Sequence, residues 1–141
     1  MRRTIENLLL GAIVLDIAYW TLWFADRSAI ASLNTDAYYQ FENAFPLADA
    51  WLGGLCVLAW IALRRRHPSA LLWLLAAGGA GLYLGSMDLL YDLEHSIFTR
   101  GVGGAFELLI VALTWTFSVT ALGWAWRNRE ELLVPRSGHR H

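Results

Sequence analysis

The chain holds a single cysteine, Cys56, so an intrachain disulfide framework and any multi-cysteine zinc site are excluded. Charge is scarce as well. Only 16% of its 141 residues are charged, where about 25% is usual for a soluble domain. There is no basic excess, with 11 Lys plus Arg against 12 Asp plus Glu, so nothing in the bulk charge would meet the phosphates of a nucleic acid. Low complexity, internal repeats and domain linkers are also absent. What the chain has in abundance is apolar surface: 57% of it is hydrophobic. That excess is incompatible with intrinsic disorder and points to an integral membrane protein.

A helix needs about 20 mainly apolar residues to cross a hydrocarbon core. The sequence predicts four such spans, about 5–25, 39–63, 69–91 and 102–126, all within one domain of residues 1–131. Backbone groups cannot stay unpaired in lipid, so each span is expected to be an α-helix. Membrane β-strand alternation is missing. Short connections make successive helices antiparallel neighbours, which gives an all-α four-helix bundle. Arg2, Arg3, Arg64, Arg65, Arg66, Arg127 and Arg129 fall on one side, and Arg27 and Arg100 on the other. The positive-inside rule then places both termini in the cytoplasm. The first apolar stretch is too long for a signal peptide and contains Asp16, so it is read as a span. Residues 132–141 are read as a tail outside the bundle, since Leu133-Val134-Pro135-Arg136 resembles a protease-cleavage linker.

The informative residues are carboxyls within the spans. An Asp at the centre of a helix costs about 2.5–3.5 kcal/mol to insert. Such a residue faces the interior or a wet cavity and is a functional hypothesis by default. Counting about 1.5 Å per residue sorts the acids by depth. Asp16 and Asp49 share a deeper layer, roughly 15 Å below the outer ends of their helices. Glu42, Asp88 and Glu107 share a shallower one, with Asp92, Glu94 and His95 at the rim. Helical phase turns these residues toward one another: Glu42 and Asp49 lie seven apart, Asp88, Asp92 and His95 follow i, i+4, i+7, and so do Asp16, Trp20 and Trp23. Glu107, Val111, Thr114 and Ser118 would form the partly polar face of the fourth span.

Asp16 and Asp49 could be glue between helices. Interhelical polar contacts average only about 0.6 kcal/mol, so function is the better reason to keep two buried acids. Carboxyls that share a low-dielectric site do not all ionise, and one of this pair is expected to hold a proton at neutral pH. Asp16 and Asp49 are therefore the candidates for proton-transfer chemistry or counter-charge. Glu42, Asp88, Glu107 and Asp92 are candidates to anchor a ligand's polar end. Trp20 and Tyr91 would flank it and offer π faces to a cation. A metal site is not expected, since no H-E-x-x-H or di-iron Glu-x-x-His pattern occurs, and no phosphate-binding glycine loop implies a nucleotide cofactor. The stretch from Gly78 through the GxxxG pattern Gly81–Gly85 permits close helix approach. Pro46 interrupts backbone bonding between Glu42 and Asp49.

The segment Phe41-Glu42-Asn43-Ala44-Phe45-Pro46-Leu47-Ala48-Asp49 is flanked by Asp16 and by Ser86-Met87-Asp88-Leu89-Leu90-Tyr91-Asp92. This pattern resembles small bacterial four-helix membrane proteins, which implies a bacterial plasma-membrane location. It is also similar, more distantly, to the EXPERA superfamily of sterol isomerases and sigma-2-type receptors. That likeness rests on Asp26 closing the first span, Glu42 ahead of Pro46, and Asp92 and Glu94 closing the third. It implies a pocket that takes amphiphilic amines or sterol-like lipids beside acidic groups. If the protein is an enzyme, general acid–base proton transfer of the isomerase kind is the expected chemistry.

Three function classes follow. The first is a carboxylate-lined pocket, open to the outer leaflet, for a small apolar or cationic ligand. The second is a proton or cation pathway, a reading that would suit a homo-oligomer. The third is an accessory subunit whose acids meet a partner helix. Membrane lipids are partners in all three.

Overall fold

A computed structural model describes residues 1–31 and 33–134. Among them there is no β-strand. The helices are α1 (Arg2–Ile30), α2 (Asp36–Glu42), α3 (Pro46–Arg64), α4 (Ala70–Glu94), α5 (Gly101–Arg127) and α6 (Arg129–Leu133), with a 3-10 turn at Ile97–Thr99 between α4 and α5. By length and composition, four segments are able to cross a membrane: Arg2–Ser28, Asp36–Arg64, Ala70–Glu94 and Gly101–Arg127.

Two boundaries depart from the sequence expectation. The first helix runs on past residue 25 to Ile30, and Asp26 inside it leaves helical geometry (φ −154°, ψ 81°), which kinks its last turn. The second span is not one helix. Proline cannot donate to the carbonyl four residues back and its ring crowds that carbonyl. The rod therefore breaks before Pro46, and tighter turn bonds, from the Ala44 amide to the Phe41 carbonyl and from the Phe45 amide to the Glu42 carbonyl, bridge the gap. Thr35 caps α2 by accepting from the Tyr38 amide, a usual role for threonine at a helix start.

The helices pack in series: α1 on α3, α3 on α4, and α4 on α5. The α4–α5 contact is closest where α4 is glycine-rich. A Cβ on Gly78 would fall 2.6 Å from Leu122 Cγ, and one on Gly85 would fall 3.1 Å from Thr114 Cγ2, so the GxxxG stripe serves packing within the chain. This contact also turns Val111 and Ser118 into the α4 interface, where both are buried. Ser118 keeps the helix face it shares with Glu107 and Thr114 but packs on Gly81 of α4, and its hydroxyl is buried with no hydrogen-bond partner among the described residues.

The apolar core lies at the end that holds both the α1 start and the α5 finish, and is built from Ile5, Leu9, Leu55, Ala59, Leu63, Leu74, Phe117 and Ala121 among others. Arg2 ties α1 to α3 there by donating to the Leu63 carbonyl, while its Nε lies 3.1 Å from Glu6 Oε1. Leu132, assigned above to the tail, packs on this core, so α6 belongs to the fold. Residues 135–141, including Pro135 and Arg136 of the linker-like sequence, lie outside the described residues.

Candidate functional site

The seam that the packing series leaves unfilled is the one between α1 and α5, which touch only lightly. A cavity of about 460 Å³ occupies it, well within the range of about 300–1,000 Å³ typical of small-molecule sites. Its wall includes five carboxyls from five helices: Asp16 of α1, Glu42 of α2, Asp49 of α3, Asp88 of α4 and Glu107 of α5. No Arg, Lys or His is among the lining residues.

Each acid is held differently. Asp16 reaches across to α3 and lies against Gly53, where the missing side chain leaves room for it. Asp49, one turn before Gly53, accepts a hydrogen bond of 3.0 Å from Trp20 Nε1. Glu42 is only 8% exposed and accepts from the Tyr19 hydroxyl at 3.2 Å. Glu107 is 7% exposed and accepts from Tyr38 at 3.0 Å. Asp88 and Asp16 take no side-chain hydrogen bond among the described residues, which leaves both free to meet a ligand from within the cavity. In a low-dielectric site a carboxyl gains most from a partner that brings hydrogen-bond donors and positive charge.

Two anticipated site residues stand outside this wall. Tyr91 stacks on Phe41 (centroids 3.7 Å apart, planes 9° apart) and on His95 at 4.0 Å, forming a three-ring pile over the end of α4. Asp92 is buried, and its Oδ2 has no partner among the described residues. Neither lines the cavity. Trp20 does, and so does Tyr19. Trp23 is buried and donates to Asn43 Oδ1 at 3.3 Å, fastening α1 to the turn before Pro46.

Sequence reasoning missed Tyr38, which is almost completely buried and joins α2 to α5 through Glu107. Its spacing of four from Glu42 puts the two on one helix face, a signal that was available. The lower wall was missed too. Leu8, Gly11, Ala12, Leu15, Cys56 and Phe117 are apolar and carried no chemical flag. Among the described residues no group of three His, Cys, Asp or Glu side chains is placed to hold a metal ion.

Comparison with protein-family models, curated proteins and solved structures finds no match to this chain.

Proposed function

We propose that this chain is a multi-pass membrane protein of the bacterial plasma membrane, with both termini cytoplasmic. In this reading its carboxylate-lined pocket binds, and can exchange a proton with, a small lipid-like or cationic apolar molecule. The observation that carries it is the convergence of Asp16, Glu42, Asp49, Asp88 and Glu107 on one cavity whose lining has no basic side chain. Gathering carboxyls in such a place is costly, and a cationic guest offsets that cost. Trp20 and Tyr19 supply aromatic faces beside the acids, a surface that favours organic cations. Asp16 and Asp49 stand deepest and are the groups best placed to give or take a proton as a general acid or base.

A proton or cation pathway would need polar groups continuing to the far end of the cavity. There the wall is mainly Leu8, Gly11, Ala12 and Phe117, with Asn7 and Thr116 polar but uncharged and no acid among them, which supports binding over conduction.

The test is calorimetric binding of a hydrophobic amine to the purified protein and to Asp49→Asn. The variant keeps shape and removes charge. Its affinity is expected to fall about tenfold, equivalent to about 1.4 kcal/mol. Equal affinity would take Asp49 out of the site, and no amine binding to either protein would refute the reading.

A further inference from the structure

The shape of the cavity says more about its guest than its acids do. All five carboxyls sit at one end. From Asp16 the cavity continues along α1 to Asn7, a fall of about 14 Å at the helical rise, between walls of Leu8, Gly11, Ala12, Cys56, Leu113 and Phe117. The space is thus acidic at the head and mainly apolar along a slot, where Asn7 and Thr116 are polar side chains.

The acidic end is roofed. α2 lies across it with Tyr38 bonded to Glu107 and Glu42 bonded to Tyr19. The Phe41–Tyr91–His95 ring pile backs this roof. The side is open instead. Along the seam, Leu8 (37% exposed), Leu15 (41%) and Leu113 (46%) line the cavity and yet remain uncovered, as do Gly11 and Thr116. In a bilayer these residues face acyl chains.

We infer that the guest is a single-chain amphiphile with a cationic amine head, taken sideways from the lipid through the α1–α5 seam, its amine among the carboxyls and its chain in the slot toward Asn7. This rests on the pocket reading above and adds the single chain, the pose and the route. The absence of basic side chains selects a cation over a carboxylate-headed lipid such as a fatty acid. The volume of about 460 Å³ suits one chain beside a small head, not a two-chain phospholipid. Gly11 lines the slot with room to spare, since a Cβ there would meet nothing within 4 Å.

Two photoreactive alkylamines test this on the full chain in phospholipid vesicles. One carries a diazirine beside the amine and the other at the chain end, and labelled residues are read by mass spectrometry. The head probe is expected on Tyr19, Trp20 and Phe45. The chain-end probe is expected on residues 7–12 of α1 and 113–117 of α5. Unlabelled alkylamine should compete with both, and a fatty acid of equal length should not. Gly11→Phe sets a ring at a slot position where a Cβ has free space, and should lower chain-end labelling of α5 about tenfold or more while head labelling by a short-chain probe persists. Competable chain-end labelling of the shallow outer groove of Leu47, Trp51 and Tyr83, with head labelling intact, would overturn the pose and route and leave the pocket standing. Equal competition by the fatty acid would overturn the cationic class. Absence of competable labelling by either probe would bring down the pocket reading itself.

Discussion

The carboxylate of Asp16 rests on the backbone of Gly53, so closely that a methyl group at residue 53 would sit 2.6 Å from Asp16 Oδ2. The obstructing atom is the tip of a side chain, which can rotate away at small cost. Gly53→Ala is therefore expected to move Asp16 without unfolding α3. Alanine also favours the helix by up to about 1 kcal/mol. Amine affinity should fall about tenfold, while the melting temperature shifts by no more than about 4 °C. Gly54→Ala is the control, since a Cβ there meets nothing within 4 Å. A Gly53→Ala protein with unchanged affinity would show that Asp16's position is immaterial to binding.

Gly81 and Ser118 form a second coupled pair, at the contact between α4 and α5. A Cβ at residue 81 would collide with Ser118 Oγ, yet would lie 3.6 Å from Ser118 Cβ, an ordinary contact. Gly81→Ala alone should destabilise by about 1–3 kcal/mol through overpacking. Ser118→Ala alone removes a buried hydroxyl without a partner and should be neutral or stabilising by up to about 1 kcal/mol. The double variant should recover most of the loss. Reversible unfolding of the four proteins completes the cycle, and strictly additive effects would deny the contact.

Tyr38 links α2 to α5 through its hydroxyl on Glu107. Tyr38→Phe keeps the buried ring and removes that donor. A hydrogen bond to an ionisable acceptor is worth about 1.5–3 kcal/mol, and the variant should lose stability on that scale. Tyr39→Phe, whose hydroxyl serves exposed Asn34, should change stability by less than about 0.5 kcal/mol. Similar losses in both would mean that α2 is not fastened through Glu107.

The proposed orientation is open to single-cysteine labelling in a Cys56→Ala background. A cysteine at Asn34 should react with a membrane-impermeant maleimide added to intact cells. One at Ser69 should react only after permeabilisation. The opposite pattern would invert the topology drawn from the arginines.

The long helices were legible because an apolar run of sufficient length has one stable backbone solution in lipid. Position along each helix axis was legible as well, since residue number converts directly into rise along a helix. That conversion grouped Asp16, Asp49, Glu42, Asp88 and Glu107, the five acids that line the cavity. Rotation about each axis was not legible in the same way. It depends on which small residues allow close approach, and Gly81 against Ser118 turned α5 so that Ser118 and Val111 face α4. Tyr91 and Asp92 were placed at the right height but on faces that other elements cover. The apolar slot left no trace in a search for reactive groups, because a void is defined by what its neighbours fail to fill.

The interruption ahead of Pro46 has a mechanical corollary. Glu42 and Asp49 are mounted on a short rod and a long one joined by a three-residue elbow, each anchored by its own contacts: α2 by Tyr38 and Glu42, α3 by its hydrophobic packing. In the reading proposed above, the distance between these two acids is therefore set by an elbow that Trp23 pins through Asn43, and not by the register of one continuous helix.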